Sequence, residues 1–389
     1  MEVSCGNPTN PHEPPRGDFH YAVSLTNTSK GVVRLAAVGD LLLCAGSGQT
    51  PCRRDPKLIS PGVRAILADC DIVFANLECT LPGDGRCVPT EPRVVGTAEQ
   101  LRAVAAAGVH VVTLANNHAF DCLDGGFRNV RRLLDDLGLR HFGAGMNLEE
   151  AAAPAIVERS GVRLAFLAAV DQRAGASRFA ASDQWGVASL DSDRLVRQIG
   201  ELRAKVNHVV VSIHWGEERF LIPSPTQIDD ARALVGAGAS IILGHHPHVL
   251  QGMEFHQGAP IIYSLGNFIA DEVYFSDGDA IRWNRAERTG CILVAELDAK
   301  KVANVRQLPT FDTGRLVEID ESGFGSRRIE KTRRAILHGV TLSRYRREHL
   351  WVKTIQPILM HLRWSELKKL RLRQLRQAFR RLLQARHAR

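Results

Sequence analysis

The chain has 389 residues, 44% of them hydrophobic, and 50 Lys and Arg against 42 Asp and Glu give a net charge of +8. That size and composition fit one large layered core with appendages, and no run reaches the roughly 18–20 uninterrupted apolar residues of a membrane-spanning helix. The charge excess is local: residues 363–389 hold ten Lys and Arg against one acid, a net of +9, so the body is near neutral and, with no recognised binding motif, nucleic acid is not the expected partner.

In chain order, residues 1–30 are polar and proline-bearing, without a basic start followed by an apolar stretch. They predict a flexible N-terminal segment with no signal peptide, and a cytoplasmic address as the default. Five apolar runs follow. They are VVRLAAVGD ending at Asp40, DIVFANLE ending at Glu78, VHVVTLANNH ending at Asn117 and His118, HVVVSIHWG around His214, and SIILGHHPH through His246 and His248. Between them, TAEQLRAVAAAG, DGGFRNVRRLLDDLG and SPTQIDDARALVGAG have a polar start, apolar residues three or four apart and a terminal glycine suited to a left-handed cap. Alternating strands and helices predict a layered α/β domain. APIIYSLGNF and CILVAELD read as later strands without an intervening helix, expected in a second sheet. The DEVYFSDGDAIRWNRAERTG segment between them is either a lid or rim of a site, or a solvated excursion.

A buried strand gains nothing from a carboxylate or imidazole at its end, whereas in open α/β sheets ligands sit beyond the carboxyl ends of the strands. Taken singly, Asp40 reads equally as a helix N-cap, Glu78 as a loop carboxylate and His214 as a satisfied core histidine. Together, these acids, histidines and the Asn-Asn-His predict a metal site. Mixed oxygen and imidazole donors favour divalent transition ions: Mn, Fe or Zn. Glu78 is the candidate to bridge two cations, and His118, leaving the chain in a different direction from Asn117, is the candidate general acid.

The motifs VGD, ANLE, LANNHAFD, VSIHWGEE, GHHPHVLQG and YSLGNF, in this order, resemble the CapA capsule-synthesis (poly-gamma-glutamate biosynthesis) family of the calcineurin-like metallophosphoesterase superfamily. The resemblance covers residues 31 to about 272. It implies two β-sheets flanked by helices and a dinuclear centre with Asp40, Glu78, Asn117, His214, His246 and His248 as ligands. It also implies that His118 protonates a leaving group, that Asp121 orients His118, and that Asn267 lies beside the site. Asn76, Asn116, His245 and Asn267 are expected on the substrate side, with His245 a lining or hydrogen-bonding residue and not a ligand. One departure matters. Leu42 stands where the wider superfamily places a histidine, so one cation position loses a ligand.

The expected organisation is an N-terminal segment 1–30, a metallophosphoesterase-like domain 31–315 and a basic helical extension 316–389. The expected activity is metal-dependent hydrolysis of a phosphoester, or of an amide-type bond in an acidic capsule or poly-gamma-glutamate-related polymer. The alternative is a non-catalytic metal-binding component of surface-polymer synthesis. Leu367, Leu370, Leu375, Phe379 and Leu382 predict an amphipathic basic helix in the tail, which would pack on its own domain, dock on a protein partner, or lie on an anionic membrane at the inner face. The eight cysteines show no C-x-x-C spacing. Cys44, Cys79 and Cys122, close to candidate site residues, argue for reduced thiols, with Cys52–Cys87 as a disulfide alternative.

Overall fold

The computed structural model describes residues 31–46 and 54–356. The N-terminal segment, Cys52 and the amphipathic tail helix lie outside the described residues.

Two sheets stand face to face. The first runs in the order Val317–Ile319, Val302–Asp312, Thr289–Asp298, Val32–Leu42, Ile72–Asn76, Val111–Thr113 and Arg140–Phe142, with Asn267–Ala270 joined alongside the end of Val32–Leu42. The second runs Met253–His256, Ala259–Ile262, Ile241–His245, His208–His214, Val162–Val170 and Ala155–Arg159. The site-bearing strands Ile72–Asn76, Val111–Thr113, His208–His214 and Ile241–His245 are parallel to both neighbours, and Val32–Leu42 is parallel to Ile72–Asn76; parallel strands need crossover helices, which the chain supplies at Pro61–Ala68, Ala98–Ala106, Leu123–Asp136, Ser192–Arg203 and Pro225–Gly236. The result is a helix, sheet, sheet, helix layering.

The period-two rule shows why the strands are apolar on both faces. In Val162–Val170, the alternate residues Leu164, Phe166, Ala168 and Val170 enter the core between the sheets, where Phe166 stacks on Phe74 of the first sheet. Ala165, Leu167 and Ala169 point the other way, into a second core under the outer helices with Leu195, Ile199 and Leu234. Helix starts are fixed locally. Thr97 with Gln100, and Ser224 with Gln227, form reciprocal capping boxes, and Gly108, Gly138 and Gly238 take the left-handed conformation after their helices.

Two expectations are corrected. APIIYSLGNF is not one strand: Ala259–Ile262 belongs to the second sheet and Asn267–Ala270 to the first, with the crossing at Tyr263–Gly266. Gly266, at φ +66°, makes that turn. CILVAELD lies in the first sheet, antiparallel to Val32–Leu42, and not in the second. Both follow from long-range pairing that local patterning does not encode.

The crossing brings the carboxyl ends of the two sheets together. Asp40 is paired with Asn267 at a register shift in the first strand, and its N–H donates to Gly266 O at 3.0 Å. A side chain at position 39 would meet Gly266 O at 1.8 Å, and one at 244 would meet Tyr263 O at 2.0 Å, so both glycines are required by close backbone approach. The first sheet continues to Ile319, and the helices Phe324–Leu337 and Leu342–Leu350 pack back on the body: Ala335 and Ile336 enter the outer core, and Glu348 accepts from Leu221 N at 3.1 Å. No helix of the described residues is long and apolar enough to cross a membrane.

Candidate metal centre

The junction places Asp40, Glu78, Asn117, His214, His246 and His248 in one cluster. Asp40 and Glu78 are fully buried, at 0% exposure. Three overlapping sets of donor atoms converge, each within 4.8 Å: Asp40 with Glu78 and His248, Glu78 with His214 and His246, and Glu218 with His246 and His248. Glu78 belongs to two of them, which is the position a bridging carboxylate needs. Asn117 Oδ1 lies 2.9 Å from His214 Nε2, which brings the amide oxygen to the second set. The loop bearing His246 and His248 is strained, with φ of +93° and +56° at the two histidines.

A second set of residues holds these donors in place. Asn76 donates through Nδ2 to Asp40 Oδ1 at 2.9 Å and lies 3.4 Å from both Glu78 Oε2 and His214 Nδ1. Asn116 donates to Asn76 Oδ1 and to Leu77 O, and its own Oδ1 accepts from His118 N. His245 Nδ1 sits 2.8 Å from Asp40 Oδ1, and Asn267 Oδ1 lies 2.9 Å from His248 Nδ1. Asn76, Asn116, His245 and Asn267 thus stand in a layer bonded to the donors, His245 as a hydrogen-bond partner of Asp40. Each is at most 1% exposed, and each is bonded to other residues of the cluster.

The charges in the cluster are mutually dependent. Burial opposes ionisation of Asp40, yet its contacts with His245 and His248 hold the carboxyl well below the usual range. Burial and then the Asp40 charge push Glu78 well above it. Burial and then neighbouring His246 push His214 well down, and burial with His248 brings His246 to about 4. Burial opposes protonation of His248, but Glu78 and Asp40 raise it to about 10.

Whether a cation fits can be judged from the unpaired atoms. Glu78 Oε1, His245 Nε2 and His246 Nδ1 are buried without a hydrogen-bond partner, and Glu78 Oε1 has His214 Nε2 and His248 Nε2 only at 3.6 and 3.8 Å. Leaving such groups unmade is costly, and a carboxylate oxygen facing imidazole nitrogens at that spacing is the donor set of a divalent transition ion. The residues fit the group. Leu42, where a histidine ligand is missing, is 1% exposed and packs in the core.

On the open side stand Asn117 and His118, both partly exposed. His118 Nδ1 lies 2.7 Å from Asp121 Oδ2, and Asn117 Nδ2 lies 3.2 Å from His118 Nε2. The carboxylate fixes the ring and leaves Nε2 to exchange a proton. Asp121 is itself held by Val94 N at 2.8 Å. The 271–290 segment forms part of the wall. Trp283 lies 5.4 Å from the His248 ring, and buried Glu287 accepts from Arg219 at 2.6 Å while its carbonyl accepts from Asn267. Sequence reasoning missed Glu218, Trp283 and Glu287. Glu218 was visible in VSIHWGEE, but nothing local separates it from Glu217, which turns away to Lys353 Nζ at 3.0 Å.

Residues 34–272, well over half of the chain, match the family described as bacterial capsule synthesis protein PGA_cap. The capsule biosynthesis protein CapA of Bacillus anthracis is 39% identical over 178 residues, 45% of this chain and 43% of that protein. The PGA biosynthesis protein CapA of Bacillus subtilis (strain 168) is 30% identical over 247 residues, 63% of this chain and 65% of that one. The matched part thus spans less than two thirds of the length of these curated relatives. Among solved structures, a phosphatase from Mycoplasma pneumoniae is 14% identical with a TM-score of 0.43, covering 76% of this chain and 96% of that one. The PGA_cap match contains every strand-end residue of the cluster, from Asp40 to Asn267, and the chain belongs to the bacterial capsule synthesis protein PGA_cap family.

Proposed function

We propose that the chain is a metal-dependent hydrolase acting on a phosphoester, or on an amide-type bond in an acidic capsule or poly-gamma-glutamate-related polymer. The observation that carries this reading is the His118–Asp121 pair at 2.7 Å, partly open to solvent beside a buried donor cluster with unpaired atoms. A cation site kept for structure alone has no use for an oriented proton donor. Asp40, Glu78, Asn117, His214, His246 and His248 would hold two divalent cations, Mn, Fe or Zn. When bound, such ions polarise the electrophile and acidify a water nucleophile. The chain's own residues supply the rest: Asp121 holds Nδ1 of His118, and Nε2 gives its proton to the leaving group. Asn76, His245 and Asn267 fix the orientation of the ligands.

The acidic polymer is the substrate class that the relatives' names support, and the +9 tail agrees with an acidic partner or an anionic membrane surface at the inner face. The test is turnover of purified full-length protein, loaded with Mn, Fe or Zn, on aryl phosphate mono- and diesters and on poly-gamma-glutamate. Turnover of one class that disappears in His118→Ala supports the reading. Cation uptake without turnover on any of them would identify a non-catalytic metal-binding component of surface-polymer synthesis instead.

A further inference from the structure

Cys87 and Cys122 approach each other with Sγ atoms 3.0 Å apart, although 35 positions separate them in the chain. Cys122 directly follows Asp121 and is buried, whereas Cys87 is half-buried at the surface. The segment from Cys87 to Val95 wraps Asp121 from two sides: Val88 N donates to Asp121 O at 2.8 Å, and Val94 N donates to Asp121 Oδ2 at 2.8 Å. The backbones on either side of the sulfurs are already in contact. A side chain at Gly83 would meet Gly126 N at 2.5 Å, and one at Gly126 would meet Leu81 O at 2.6 Å. Bonding sulfurs lie about 2.05 Å apart, so closure moves them by roughly 1 Å, within reach of side-chain rotation.

We propose that Cys87 and Cys122 are a redox pair that closes into a disulfide and clamps the segment holding Asp121. The oxidant is a low-molecular-weight disulfide. The Cys87 thiolate attacks one of its sulfurs, the oxidant's S–S bond breaks, and one thiolate leaves. Cys122 Sγ then attacks Cys87 Sγ, its proton passing to the second departing thiolate. Two protein thiols are oxidised and one small disulfide is reduced to two thiols. The order follows from access, and burial together with the neighbouring Cys87 also pushes the Cys122 thiol up to about 12, so it is the poorer first nucleophile. The bond closes whether or not the adjacent site is hydrolytic.

The experiment compares full-length protein treated with oxidised glutathione and with dithiothreitol. Non-reducing peptide mass analysis is expected to give the Cys87 and Cys122 peptides joined with loss of two hydrogens, and alkylation to find two fewer thiols. Amide exchange at Val88 and Val94 is expected to slow on oxidation. Cys87→Ser, a change at a half-buried surface position, should abolish all three while the reduced protein melts as the wild type does. Retention of both thiols, glutathione persisting on Cys87, or pairing with another cysteine would overturn the proposal. A bond that forms without slowing exchange at those two amides would overturn the clamp.

Discussion

Two buried charged clusters lie at the ends of strands in the first sheet, and only one is self-sufficient. Around Arg54, every charge is answered. The guanidinium reaches Asp271 Oδ1 at 2.6 Å and takes both oxygens of Asp312 at 2.7 and 3.1 Å. Asp271 Oδ2 also accepts from Cys44 N and Gln100 Nε2, and Asp312 accepts from Ala270 N and Gly314 N. The Asp40 and Glu78 cluster is as deeply buried, but two carboxylates face four histidines and three polar atoms have no partner. Burial of charge therefore does not by itself mark a functional site. What separates the two is incomplete satisfaction, which a folded protein retains when a ligand completes the set.

That contrast is open to attack from both sides. The largest expected effect is on turnover: His118→Ala should lower it by about 10²–10⁴-fold with cation content unchanged, because the ring is not in the donor sets; steady-state kinetics beside elemental analysis checks this. In the other cluster, Arg54→Ala strands two buried carboxylates and should destabilise the fold by about 3–5 kcal/mol, read from denaturant unfolding, again without loss of cation. A drop in cation content there would erase the distinction. Smaller still, Asp121→Asn should reduce turnover by about 10–100-fold, since it removes the charge that orients His118 while leaving the imidazole in place. An Asp121→Asn protein with wild-type turnover over the whole pH range would show that the 2.7 Å contact does not position the ring.

How much of this the sequence discloses depends on range. Strand-end Asp40, Glu78, Asn117, His214, His246 and His248 are legible because each interrupts an apolar run, and a two-residue period or a capping box is a local signal. The Arg54 cluster is not legible, since its partners lie 217 and 258 positions away. Nor is the division of APIIYSLGNF between two sheets, which depends on the Gly39 and Gly266 backbones meeting. Asn76 illustrates the middle case. Its place beside Glu78 is plain in ANLE, but its part as the hub joining Asp40, Glu78 and Asn116 appears only when three strands are adjacent. Glu218 is not legible because two adjacent glutamates after a strand have no period to tell them apart.

The central claim is that the unsatisfied cluster is a cation site with Glu78 at its centre. Elemental analysis of the wild type, Glu78→Gln and His246→Ala, each loaded with Mn, Fe or Zn and freed of excess ion, with circular dichroism to verify folding, tests it most directly. The expected result is bound divalent metal in the wild type and a marked loss in both folded variants. Wild-type metal content in both Glu78→Gln and His246→Ala would contradict the assignment.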